Sequence, residues 1–231
     1  MVVALYGASA WMFRRPLFLW LAAPLLIAPW TILTHRGWYL WEPPPLPRYG
    51  LAWVVLAGLL LTGGQVLRGR YGTPLRVTAH LLMPFALIWG AADRITSSVT
   101  FGLAVAFYAG ATLADHLRGR EGLASARFLY PAAFLLPIWG IYLLARFRPD
   151  LPQTLFGVLL LLFGPFLFGL GRLLRRVQPA DALPASLAGY ASALAGTMVV
   201  SPDRPLLVLA LLWNTGLSLI SVVVLKEPAW E

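Results

Sequence analysis

Ala114-Asp115-His116-Leu117-Arg118-Gly119-Arg120-Glu121-Gly122-Leu123-Ala124-Ser125-Ala126-Arg127 is the longest break in apolar sequence near the middle of this chain. It carries two acids, three arginines and a histidine. Similar lengths of hydrophobic sequence flank it. Read outward from this hinge, the chain divides into residues 1–113, a connecting loop 114–127 and residues 128–231.

The flanks set the solvent. Of 231 residues, 59% are hydrophobic and 12% charged, with a mean hydropathy of +0.75. Soluble domains carry roughly 25% charged residues, so this chain lacks the polar surface to cover a globule. Its apolar residues fall in runs of about 20, enough to cross about 30 Å of hydrocarbon as helix. The fold class is therefore read as an all-α integral membrane protein, with the lipid bilayer as its first partner. Cysteine is absent, which removes disulfides, thiolate metal sites and cysteine nucleophiles. The net charge of +9 comes from basic residues between apolar runs, where headgroups and the positive-inside rule favour them. Nucleic acid is not an expected partner, because there is no soluble basic face to hold a backbone.

Eight spans are predicted: 17–34, 50–67, 75–92, 95–113, 128–145, 155–174, 184–200 and 206–225. The residues before them lack a basic n-region, so Ala8-Ser9-Ala10 is not read as a leader cleavage site. Pro24 and Pro29 should kink the first span, and Gly164-Pro165 should interrupt the sixth. Pro43-Pro44-Pro45, beside Trp38, Tyr39 and Trp41, reads as a stiff connector at the interface. Ser201 is predicted to cap the last helix.

The halves resemble each other. Asp93-Arg94 and Asp203-Arg204 are 110 apart, as are Pro74 and Pro184. Trp30 and Trp139 are 109 apart, and Arg68 and Arg175 are 107 apart. This predicts a tandem repeat of two four-helix units. An even number of spans per unit makes the repeat parallel, as between the halves of some transporters. With the N-terminus inside, 12 of the 18 basic residues fall on inner segments and 6 on outer ones. Both termini and the hinge are thus expected on the cytoplasmic side of the cell membrane. Span seven, rich in small residues at Ala185, Gly189, Ala193 and Gly196, should sit deep in its bundle. Val158 to Phe163 should meet lipid.

Chemistry is sparse. No Asp, Glu or Lys falls in the middle of a predicted span, which argues against ion-coupled transport and intramembrane carboxylate–metal sites. Paired carboxylates, phosphate-cradling glycine loops and zinc helices do not appear, so no catalytic residue, metal or cofactor is assigned. The one candidate binding pocket gathers His80, Gln65 and Arg76 at the cytoplasmic end, with Tyr190 at the repeat position of His80 and Asn214 at mid-depth. Arg76 and His80 share a helix face. The plainer reading of each is interhelical hydrogen bonding, and it is preferred. Three functions follow in order: a non-enzymatic scaffold, anchor or accessory subunit alongside other membrane subunits; a permease for a small uncharged or lipid-like solute; and a membrane enzyme acting on lipid.

Overall fold

The computed structural model describes residues 2–12, 14–38, 46–67, 69–119 and 123–225. Among them there are helices and turns and no strand. The chain separates into two compact units, Met1–Gly119 and Arg120–Glu231.

The first unit holds α1 (Val2–Met12), α2 (Leu17–Leu25), α3 (Ile27–Trp38), α4 (Leu46–Val66), α5 (Gly69–Gly90) and α6 (Arg94–Leu117). The second holds α7 (Leu123–Phe147), α8 (Gln153–Val177), α9 (Pro179–Val200) and α10 (Arg204–Leu225). Among the described residues, seven stretches are long and apolar enough to cross a membrane: Leu17–His35, Pro47–Val66, Arg94–Leu117, Ala126–Phe147, Gln153–Arg176, Pro179–Val200 and Arg204–Ser221. The third predicted span is not among them. It belongs to α5, which has 22 residues but carries Arg70, Arg76 and His80 between Gly69 and Leu81.

Prolines act locally, and not always as the sequence suggests. The first predicted span is split into α2 and α3 at Leu26, between Pro24 and Pro29. In contrast, α8 runs unbroken through Pro165. Pro165 has no N–H to give the carbonyl four residues back, that of Leu161. The Trp213 indole from α10 donates to that carbonyl instead, at 3.2 Å. A helix bearing proline persists in lipid when a neighbour satisfies the freed acceptor. α5 starts at Gly69, where φ is +55°, ahead of residue 75, where the third span is expected to begin.

The two Asp-Arg turns are built alike. Asp93 accepts from the Thr96 N–H at 2.8 Å, and Asp203 from the Leu206 N–H at 3.2 Å. Each is an N-cap, satisfying a donor the helix leaves open. Ser201 does not cap α10; its hydroxyl donates back to the Met198 carbonyl at the end of α9. The hinge is also more helical than expected. α6 continues to Leu117 and α7 begins at Leu123, with Gly119 turning the chain at φ +67°. The Pro43–Pro45 connector and Arg120–Gly122 lie outside the described residues.

Small residues set the closest packing, as expected where apolar burial cannot drive helix association. In the first unit α4 lies antiparallel along α5. A side chain at Gly50 would strike the backbone of Ala86 and Gly90, and one at Gly64 the Gly72 carbonyl. In the second unit α8 lies along α9 in the same manner. A side chain at Gly157 would strike Val200 and the Gly196 carbonyl, and one at Gly171 would meet Ser186 and the Ala182 carbonyl. α9 touches α7, α8 and α10, and buries Ala185, Ala188, Gly189, Ser192, Ala193 and Gly196. The Val158–Phe163 stretch is less lipid-facing than expected, because Leu160 and Leu161 turn inward and only Leu162 is well exposed.

Candidate functional site

The last turn of α4, the first turns of α5 and the last turn of α6 meet at one end of the first unit. Gln65 is buried there and bridges two charged groups. Its Nε2 donates to Asp115 Oδ2 at 3.5 Å, and its Oε1 accepts from Arg118 Nη1 at 3.4 Å. The same Arg118 nitrogen donates to the Gln65 backbone carbonyl at 3.1 Å. That carbonyl is among the last of α4, where an open acceptor and the negative end of the helix dipole favour a cation. Asp115 is fully buried, whereas Arg118 reaches solvent. Arg76 lies beside them: its stem covers Gly64, and its Nη2 donates to Thr73 Oγ1 at 3.3 Å.

One turn further along α5, His80 stacks on Tyr108 of α6 with ring centroids 5.4 Å apart. His80 Nδ1 and the Tyr108 hydroxyl are 3.1 Å apart, one donating and the other accepting according to the tautomer. Tyr108 is buried. Thus Gln65, Arg76 and His80 lie along one side of the first unit, and Gln65 and His80 each bond across to α6.

The other two candidates belong to the second unit. Tyr190 is exposed and meets Phe168 of α8 edge-on at 4.3 Å. Asn214 donates through Nδ2 to Thr197 Oγ1 at 2.6 Å, and the Thr197 hydroxyl in turn donates to the Ala193 carbonyl at 2.9 Å. The Asn214 Oδ1 is buried without a hydrogen-bond donor.

Two functional-looking acids escaped the sequence reading. Asp115 was read as a hinge residue and Asp181 as part of a loop. Both are buried in helices, Asp115 near the end of α6 and Asp181 in the first turn of α9. The signal for Asp115 was present. Ser97, Thr100, Ala104, Tyr108, Thr112 and Asp115 recur at three- and four-residue spacing, and all are buried on one face of α6.

Outside the apolar segments, the Asp93 carboxyl is biased toward its charged form. The Thr96 N–H, and then the Thr96 hydroxyl, hold its carboxyl below the ordinary value of 3.8. Among the described residues no three His, Asp or Glu side chains gather as a metal would require.

Two apolar grooves lie elsewhere. Two adjoining grooves of about 200 and about 510 Å³ run beside α10 in the second unit, meeting at Leu209 and Trp213. Their walls are apolar, with Val158 and Leu161 of α8 in one and Pro165 of α8 in the other.

No family model, no curated protein and no solved structure matches this chain.

Proposed function

We propose that this protein is a polytopic membrane component whose work is structural: a scaffold, anchor or accessory subunit held in the cell membrane beside other subunits. One observation carries the reading. Three polar groupings within the apolar helices join neighbouring helices: Gln65 with Asp115 and Arg118, His80 with Tyr108, Asn214 with Thr197. Bonds of this kind hold helices in register. A site built for turnover would instead aim such groups into a cavity.

In this reading the chain crosses eight times, as two like-oriented four-helix units with both termini and the connector at the cytoplasmic face. α5 supplies the eighth crossing. Its Gly72 and Gly90 ends lie against Gly64 and Gly50 of α4, so the two helices share one length. Its 22 residues reach about 33 Å at roughly 1.5 Å each. Its outward residues Leu81, Phe85 and Ile88 suit lipid, while its polar Thr78 turns inward. Support for the repeat comes from register. Gly50 and Gly64 of α4 match Gly157 and Gly171 of α8 at an offset of 107. Their partners Gly90, Gly72 and Arg76 match Val200, Ala182 and Ser186 at an offset of 110.

A second reading, a permease for a small uncharged or lipid-like solute, is favoured by the apolar grooves beside α10. Purification from native membranes in mild detergent, with mass spectrometry of whatever travels along, separates the two. The structural reading expects a stoichiometric membrane subunit. A chain that purifies alone and moves solute after reconstitution overturns it.

A further inference from the structure

We propose that Arg172, Arg175 and Arg176, at the end of α8, form a binding site for the headgroup phosphate of an anionic phospholipid whose acyl chain lies along α8. The three fall at i, i+3 and i+4, within an arc of about 100° on one side of the helix. Arg172 and Arg176 are exposed and Arg175 is half-buried. Among the described residues, none of them makes a hydrogen bond, an ion pair or a ring contact. The described acid at this end of the second unit, Asp181, is buried in the first turn of α9, while Asp150 and Asp203 stand in the turns at its other end. Arg127, exposed near the start of α7, adds a further cation at the arginine end.

Charge selects an anion, and the surface beside it selects a lipid. Leu162, Phe166, Gly169, Leu173 and Arg176 recur at steps of four and three residues and are all exposed, so an apolar strip runs along one face of α8 and ends on an arginine. Arg172 borders the same strip, one turn after Gly169. A side chain added at Gly169 would meet nothing within 4 Å, so the strip is notched on the way to Arg172. An acidic peptide or a nucleic acid would satisfy the arginines and leave the strip bare. A phospholipid satisfies both. The segment Gln153–Arg176 is long and apolar enough to cross a membrane, which puts these guanidinium groups at the level of the phosphates. The helix dipole also favours cations at a C-terminus, but it makes no distinction between headgroups. In the proposed repeat, the matching turn of α4 has Gln65 and Gly69 in place of Arg172 and Arg176, and Gln65 is buried. The site therefore belongs to the second unit alone. The inference rests on the chain lying in a membrane, and not on which assembly it joins.

The full chain is reconstituted into phosphatidylcholine vesicles with a trace of phosphatidylglycerol bearing a diazirine on its acyl chain near the glycerol. A parallel sample carries a matching phosphatidylcholine probe. After irradiation, adducts are mapped by mass spectrometry. Labelling of residues 162–176 by the phosphatidylglycerol probe should exceed that by the phosphatidylcholine probe several-fold, and the excess should shrink as salt is raised. Arg172→Gln, Arg175→Gln and Arg176→Gln combined should abolish the excess, and Arg172→Gln alone should reduce it. Arg148→Gln, exposed at the other end of the unit, should leave it unchanged. The single Arg172→Gln serves should the triple variant fold poorly. Equal labelling by the two probes overturns the proposal and leaves a solvated cationic face. An excess that the arginine variants leave untouched, or one of the same size along α4, overturns it too. Displacement of the phosphatidylglycerol probe by dissolved glycerol 1-phosphate would assign the site to a free phosphate and overturn the lipid part. Protection of 162–176 from both probes in the intact protein also overturns it, in favour of a protein partner on this face. Co-purification of a subunit is a separate readout, so either proposal can fail alone.

Discussion

The last helix of the first unit, α6, and the last helix of the second, α10, meet their neighbours differently. α6 packs on both α4 and α5, and the Phe107 ring covers Gly58 of α4. α10 leans mainly on α9 and reaches α8 through single side chains, Leu217 at Gly164 and Trp213 at the Leu161 carbonyl. In the proposed repeat, Gly58 corresponds to Pro165 and Phe107 to Leu217. Where the first unit has no side chain and a large ring to fill the space, the second has a pyrrolidine and a smaller residue. The outcome is a closed interface in one unit and an apolar groove in the other. Within that proposed repeat, a pyrrolidine and a smaller side chain at the matching positions leave the seam open. The polar pairs also differ in depth: His80–Tyr108 has Tyr190 and Ser218 at its matching positions, whereas Asn214–Thr197 has Ala104 and Leu87.

This contrast can be broken or sharpened by substitution. The largest effect is expected at the closest approach. Gly50→Ala should destabilise the first unit by about 1–3 kcal/mol, because the methyl meets backbone that cannot rotate away. The matching Gly157→Ala meets a Val200 methyl at 2.6 Å and should cost less. Unfolding by steric trapping in bilayers reads both, and equal costs would erase the distinction between the two seams.

Next comes the proline-freed carbonyl. Trp213→Phe should cost about 1–3 kcal/mol by leaving the Leu161 oxygen without a donor. In a Pro165→Ala background, the restored N–H should take over that acceptor and the penalty should shrink by about 1 kcal/mol. A double-mutant cycle that shows no coupling would mean the indole is not serving the proline. Smaller still, Tyr108→Phe removes one bond between α5 and α6 and should cost about 0.6 kcal/mol, typical of a single interhelical hydrogen bond in a bilayer.

The least effect is the pH dependence of the α6 cap. The folded state holds the Asp93 carboxyl below its ordinary 3.8. Its contribution is therefore full above that value and is lost as the pH falls through the folded value. Asp93→Asn should lower melting slightly near neutral pH, where the carboxylate contributes fully, and flatten this part of the acid limb, so that the two proteins converge as the pH falls.

How much of this was legible in the sequence follows from the physics of each feature. Helix and membrane were written in run length and charge depletion, which need no tertiary context. The proline kink between α2 and α3 was legible for the same reason. The unbroken path of α8 through Pro165 was not, since it depends on an indole 48 residues away in sequence. Asp115 was misread because an acid among arginines looks like a loop. Only the spacing of Ser97, Thr100, Tyr108 and Thr112 ahead of it places it on a buried helix face. The pairing of His80 with Tyr108, and of Asn214 with Thr197, lies beyond sequence spacing, because each joins two helices whose rotation is set by packing.

The central claim is that each unit crosses the membrane an even number of times and that both enter from the same side. The chain has no cysteine, so single cysteines report without background. Arg15→Cys, Ala92→Cys, Gly119→Cys and Ser201→Cys are treated with a membrane-impermeant maleimide before and after the cells are permeabilised. The account predicts labelling of positions 92 and 201 in intact cells, and of 15 and 119 only after permeabilisation. Labelling of position 119 in intact cells while position 15 stays protected would mean that α5 does not cross, and would contradict it.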